Sequence, residues 1–351
     1  MEKFKFTDTL FIHQHICISP QHTSGDVDLD VLNPSANGQL TAIEPELTGV
    51  PAGLLRRMSK AVRMGIGAGL PILQQNKVDG IIVGTANGGM NDCIKFLNQI
   101  IDYDEGMLTP GNFVQSTPNA IAGQLSLITK NQQYNATHVH LGLSFENSLI
   151  DAQMHLKEKA EGNYLVGAVD EISSYNYNID LLAGWYSQNI ENQSLYQSKL
   201  PATIAGEGAA MFLLNNNAYD ALARVKDIET FHASDIETVK ARFKIFAEAQ
   251  NLDSETTIFL TGENGDIRFN PFYHSCEALI NDFPVARFKH LSGEYPTAVS
   301  FAVWLSVFAL QNKRLPGHLF KTENNLSQLN NIIIYNNYHG LQHSFISITS
   351  N

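Results

Sequence analysis

Short apolar runs rich in β-branched residues alternate along this chain with longer stretches of helical character. Asp79–Thr85 predicts a buried strand that meets a glycine turn, Asn87-Gly88-Gly89, and then a helix capped by Asn91 or Asp92. Tyr164–Asp170 and Thr256–Thr261 read as buried strands of the same kind, and Ala202–Leu214 as a strand around Gly206-Glu207-Gly208. Asn331–Tyr335 and Ser344–Ile348 would form a closing hairpin. Leu54–Leu73 predicts a helix with Arg56, Arg57 and Lys60 on one side and small residues on the other. A nearly all-apolar helix over Ala298–Leu310 must be buried on most faces. Thr109-Pro110-Gly111-Asn112 has the composition of a turn, and Pro118 suits the start of a helix reaching Leu127. Residues 20–50 are polar and rich in turn signals, as in an extended surface loop. Strands alternating with helices in both halves imply an α/β architecture with helices covering the sheet faces. No low-complexity linker interrupts the pattern, so 1–198 and 199–351 read as two halves of one unit.

Composition narrows the class. Hydrophobic residues make up 44% of the 351 and charged residues 17%, which favours extensive buried surface over disorder. Met1–Phe6, followed by an apolar stretch broken by His13, Gln14 and His15, makes a poor signal peptide. No run approaches the roughly 18 apolar residues of a membrane helix. Cys17, Cys93 and Cys276 are sparse, odd in number and without metal-type spacing, so they read as reduced thiols of a cytoplasmic protein. A formal charge of -12 with no Lys/Arg cluster argues against nucleic acid.

The most informative stretch is His138-Val139-His140-Leu141-Gly142-Leu143-Ser144, followed by a helix-like run to Glu161. A strand feeding a sharp turn into a helix is a nucleophile elbow: the turn lifts one side chain over the sheet and aims the helix N-terminus at it. That geometry lowers a thiol's pKa and activates it. Glycine at 142 has nothing to activate.

Five segments make the chain resemble the β-ketoacyl synthases of the thiolase-like fold, in order from about residue 50 onward. Gly84–Gly89 is similar to the family's early strand and glycine turn, and Pro118–Gly123 to its Pro-Asn-x-x-Ala-Gly helix start. Gly206-Glu207-Gly208-Ala209 matches its Gly-Glu-Gly-Ala signature. Lys289–Glu294 resembles the segment with the lysine and second catalytic histidine, and Tyr338-His339-Gly340 the C-terminal gating loop. The resemblance implies a layered αβαβα unit. It also implies a Cys-His-His chemistry in which the thiolate takes an acyl chain from a carrier protein and the histidines decarboxylate a malonyl unit. Here the cysteine falls on Gly142, the first histidine on Thr261 and the second on Glu294, and only Lys289 is kept. No reagent of the set survives, and a glutamate would oppose the negative charge that must develop.

The family includes inactive members, the chain-length factors, which pair with an active ketosynthase and shape its acyl tunnel. Where the aromatic-polyketide type usually has glutamine, this chain has Gly142. Divergent, shortened chains of bacterial aryl-polyene or flexirubin-type pathways are also similar. The resemblance implies an active ketosynthase as heterodimer partner, with an acyl carrier protein reached through it, since an acidic chain docks an acidic carrier poorly. A homodimer in isolation stays open, as does a non-catalytic homodimer that binds acyl ligands or serves as a scaffold. No cofactor and no metal is expected. Val139 and Leu141 would lie at the two-fold interface, with His138 and His140 on the other strand face. Phe113, Val114 and Gln115 would border the partner's tunnel. Gly206, Glu207 and Gly208 would be structural, the carboxylate anchoring loops between two close backbone approaches.

Other readings compete at particular residues. Ser144 half matches a Gly-x-Ser-x-Gly elbow, although helix capping suits it better. Cys276, after Tyr273-His274-Ser275, leaves a Cys-His pairing open, so a thioester hydrolase or acyltransferase using Ser144 or Cys276 is the rival. His13/His15 and His138/His140 have spacing for a shared strand face but lack third ligands. The glycines of Gly84–Gly89 lack the dinucleotide-binding order. Thr261–Asp266 lacks calcium-loop spacing and reads as a solvated turn.

Overall fold

In the computed structural model, which describes residues 10–159 and 161–351, Met1–Phe6 lies outside the described residues. The strands are β1 (Leu10–Ile18), β2 (Gln39–Leu40), β3 (Gly80–Gly84), β4 (Tyr134–His138), β5 (Tyr164–Asp170) and β6 (Ala205–Gly206). They continue as β7 (Gly208–Asn215), β8 (Ala223–His232), β9 (Thr257–Thr261), β10 (Val285–Arg287), β11 (Asn331–Tyr338) and β12 (Gln342–Thr349). Ten of them form one sheet in the order β10-β9-β11-β12-β8-β1-β7-β5-β3-β4, and β2 pairs with β6.

That sheet holds the same topology twice. From one edge the first set runs β4-β3-β5-β7-β1, and from the other edge the second runs β10-β9-β11-β12-β8. Ranked by position in the chain, each set reads third, second, fourth, fifth, first. The strand senses agree too: β3 and β9 are parallel to both neighbours, β7 and β12 antiparallel to both. The sets meet where Leu10–Ile12 pair with Ala223–Val225. Gly208–Asn215 thus completes the first set, although it follows residue 198.

Helices fill three layers. Lys60–Gln75 and Ala120–Thr129 cover the first set, and Ile236–Gln250 and Asn270–Glu277 cover the second. Ser144–Glu158 and Val299–Asn312 lie between, sharing one core with strands of both sets. Burial on both sides is why Val299–Asn312 is apolar all round. The result is a layered αβαβα unit. Among the described residues no helix is long and apolar enough to cross a membrane.

Several local expectations need correction. The helix expected over Leu54–Leu73 is broken between Ala52–Leu55 and Lys60–Gln75, since Ser59 starts a new helix from an extended conformation. Neither Asn91 nor Asp92 caps the helix Met90–Asp102; Gly89 does, at φ 77°, a conformation glycine takes without strain. Thr109–Asn112 is not a free turn but the start of the helix Pro110–Gln115, with proline at its first position. The elbow helix ends at Glu158, short of Glu161. The 20–50 segment is less superficial than its composition suggests, for Gln21, Thr23, Leu29, Leu40 and Ala42 are buried. β1 and β8 escaped notice because polar residues interrupt half-covered strands; β1 also carries a bulge between Ile12 and Gln14.

Gly84 fixes the elbow helix against the sheet. A Cβ there would meet Ser144 O at 2.6 Å and Phe145 N at 2.8 Å, both backbone atoms. Gly84→Ala should therefore destabilise the fold by about 1–3 kcal/mol, the usual range for overpacking, read from the urea midpoint. An unchanged midpoint would mean this helix can move.

Candidate functional site

β4 ends at His138, so Val139 and His140 leave the sheet instead of alternating across it as expected. Leu141 then takes a left-handed backbone at φ 50°, uncommon for a bulky residue, and a single 3-10 turn, Leu141–Leu143, leads into the helix Ser144–Glu158. Ser144 cinches this elbow. Its Oγ accepts from the His140 N–H at 2.8 Å and donates to Leu141 O at 2.9 Å. A hydroxyl so used bonds the turn and is buried, so it is not presented as a nucleophile.

The buried Gly142 lies inside the turn, beneath the β11–β12 hairpin. A Cβ on Gly142 would sit 2.2 Å from Tyr338 Cβ and 2.5 Å from its Cγ. Tyr338 thus occupies the space a cysteine side chain would need. The Gly142 N–H, the backbone donor at the elbow, is also taken: it donates to Gln342 Oε1 at 2.8 Å. Tyr338 is held in turn by its neighbours. Its ring stacks on His339 at 4.0 Å, His339 on Trp185 at 3.8 Å, and the Arg268 guanidinium lies 4.4 Å from the Trp185 ring. Burial, with help from Arg268, lowers the His339 imidazole to about 4, so it stacks as a neutral ring. Asn337 Oδ1 accepts from the Gly340 N–H at 2.7 Å and closes the turn.

The remaining positions of the set converge from the other half. Lys289 and Glu294 are buried and paired, Nζ to Oε1 at 2.7 Å. Glu294 Oε2 accepts from Asn264 Nδ2 at 2.7 Å, so both oxygens are engaged. Thr261 ends β9 fully buried, and among the described residues its hydroxyl has no hydrogen-bond partner. The turn after it is not solvated, contrary to expectation: Glu263, Asn264 and Asp266 are all buried. Their charges are answered by Arg287 and Lys321 on Glu263, at 3.1 and 2.5 Å, and by Arg268 on Asp266. Glu146, one turn into the elbow helix, is fully buried; burial pushes its carboxyl up to about 7, against the pull of Ser344 and Lys289.

Glu207 accepts from the N–H groups of Ala42 and Ile172, at 2.8 and 2.9 Å, and pairs with Lys60, joining three loops. A Cβ on Gly206 would fall 2.0 Å from Ser292 O, and one on Gly208 2.9 Å from Ile18 O. Asp170 ties the glycine turn to the segment after Glu294, accepting from Ala86 N–H, Asn87 N–H and the hydroxyls of Thr85 and Thr297. Cys276 is buried, and burial pushes its thiol up to about 12, which leaves no thiolate at neutral pH. The histidine pairs are bonded apart: His13 to Asn215, His15 to Gln311, His138 to Asp151 and His140 to Asn147.

Four of the expected interface and tunnel side chains are exposed to solvent. Phe113, Val114, Val139 and Leu141 are 60%, 65%, 52% and 53% exposed. Gln115 faces inward instead, accepting from Ser59 N–H and donating to Arg57 O. β4 is the last strand of the sheet, and among the described residues no strand pairs with its outer edge.

Residues 33–181 match the family model for the beta-ketoacyl synthase N-terminal domain. The chain is ketosynthase-like. A beta-ketoacyl synthase from Burkholderia phymatum is similar in fold at 13% identity and a TM-score of 0.77, covering 98% of this ketosynthase-like chain and 100% of that one. So is a ketosynthase in complex with its chain length factor from Xenorhabdus doucetiae, at 12% identity and a TM-score of 0.78 with both chains covered in full. A type II polyketide ketosynthase in complex with its acyl-carrier protein and bound to a hexaketide matches at 15% identity and a TM-score of 0.72, covering 98% and 100%. No curated protein matches by sequence.

The ketosynthase-like sequence pointed to Gly142, Thr261, Lys289 and Glu294 but not to Gln342 or Asn264. Gln342 was within reach, because extending the expected hairpin by its alternation brings it opposite Tyr338. Asn264 was not, since nothing local marks it as the carboxylate's partner.

Two measurements examine this centre. Glu294→Gln leaves the Lys289 charge buried and should cost about 3–5 kcal/mol, whereas Lys289→Met with Glu294→Met should recover most of it in urea melts. Glu146, whose folded pKa of about 7 exceeds its ordinary 4.5, contributes stability that is complete below the lower value and lost as pH rises through the upper. The stability difference between wild type and Glu146→Gln should therefore change by roughly 3 kcal/mol at most from pH 4.5 to 7, falling for wild type. A flat difference would show the carboxyl titrates normally.

Proposed function

We propose that this chain is a non-condensing, chain-length-factor-like subunit that pairs with a competent ketosynthase and limits the depth of its acyl tunnel. The observation that carries the reading is Tyr338 standing where a nucleophile's Cβ would be, with Gln342 on the elbow N–H. An elbow so filled has no place for an acyl thioester and no free donor for its oxyanion. The rest of the set agrees. Glu294 is neutralised by Lys289 and Asn264, and threonine at 261 cannot take or give a proton near neutral pH.

The surface supports pairing. An open β4 edge with exposed Val139 and Leu141 just beyond its end is costly to leave in water and fits a partner's equivalent edge. Ketosynthases with a chain length factor and with an acyl-carrier protein are among its structural relatives. The product is then a fatty-acid, polyene or polyketide chain on a carrier, extended by the partner in the cytoplasm. Phe113 and Val114 would bound it by excluded volume. The hydrolase or acyltransferase reading is weaker, because Ser144 is spent in the turn and Cys276 is inert.

Co-expression with a ketosynthase that has an intact elbow cysteine should yield a 1:1 complex with condensing activity that this chain lacks alone. Turnover of a thioester by the purified single chain would overturn the assignment. Phe113→Ala in the reconstituted pair should lengthen the product, whose mass spectrum is the readout. Gly142→Cys should restore no condensation, since the new side chain meets Tyr338 and finds no histidine.

A further inference from the structure

A cavity of about 440 Å3 lies away from the degenerate centre and shares no lining residue with it. It is lined by the stacked pair Trp304 and Phe308, with ring centroids 5.5 Å apart, and by Ile66 and Leu70 of the helix Lys60–Gln75. Val27 and Leu47 close it from the two arms of the 20–50 segment. Apolar walls left to water favour an apolar occupant, and the size and lining are those of ligand sites. At ~30 Å3 per water-sized unit it has room for roughly fifteen of them, enough for a ten-carbon chain.

Charge and hydrogen bonding define the ligand. Glu46 is the one formal charge among the lining residues, and no lysine or arginine is present to receive an anion. His15 also lines the cavity. Its Nε2 donates to Gln311 Oε1 at 2.8 Å, which leaves Nδ1 as the acceptor of the neutral ring, and Nδ1 has no partner. That atom has no accessible surface, so the hydrogen-bonding groups open to a ligand hydroxyl are the uncharged side chains of Ser24, Thr48 and Gln74 in the lining. We infer that this cavity binds a neutral amphiphile, an apolar chain of about ten carbons ending in a hydroxyl, independently of the subunit role proposed above.

The test is fluorescence titration of the full chain with N-phenyl-1-naphthylamine, displaced by 1-decanol or by decanoate. The probe should bind and decanol should displace it at least about tenfold more effectively than decanoate, a difference of about 1.4 kcal/mol. Val27→Trp, which fills the cavity from a loop, should weaken probe binding at least about tenfold with a cooperative melt retained. Thr48→Trp, from an exposed rim position, serves as the second variant should Val27→Trp misfold. Absence of probe binding, equal displacement by decanoate, or unchanged binding in a folded variant would each overturn the inference.

Discussion

The contact between Tyr338 and the bare Cα of Gly142 governs the centre, because two atoms cannot share the space of one Cβ. A side chain at 142 would have to displace a ring that is stacked through His339 to Trp185, itself covered by Arg268. The constraint also runs the other way. With the elbow empty, the hairpin can settle onto it, and Gln342 can reach the Gly142 N–H that would otherwise be a buried donor without a partner. The bare Cα at 142 and the hairpin's closure over it are therefore one structural feature.

The charges inherited by the interior are handled by pairing. A buried ammonium is tolerable only beside a carboxylate with its remaining lone pairs filled, and Lys289, Glu294 and Asn264 meet that condition. The same rule accounts for Glu263 between Arg287 and Lys321, and for Glu207 with Lys60 and two backbone donors. Glu146 has less to offset its burial, and its carboxyl shifts accordingly.

Sequence reasoning worked where burial on both faces leaves an unbroken apolar run. Tyr164–Asp170 and Thr257–Thr261 are strands for that reason, and Val299–Asn312 is a helix all of whose faces are covered. It worked less well for half-covered elements such as β1 and β8, whose polar positions imitate loops. That the strand-to-helix turn carries no side chain at 142 was legible in the sequence. What fills the space there was not, because Tyr338 and Gly142 are distant in sequence and only the hairpin's docking brings them together. The acidic turn after Thr261 misled for a related reason: its charges are answered by arginine and lysine residues from other segments.

The repeated strand order says something about how such a site could decay. β4 and β10 are each the third strand of their set, and the elbow follows the one while Lys289 and Glu294 follow the other. Each half thus brings the equivalent corner to a shared centre, one side supplying the filled elbow and the other the buried Lys289–Glu294 pair. Corners built on separate scaffolds can drift independently, and either can be rewired without unravelling its twin. A duplicated architecture of this kind lets one corner change its side chains while the other keeps its shape.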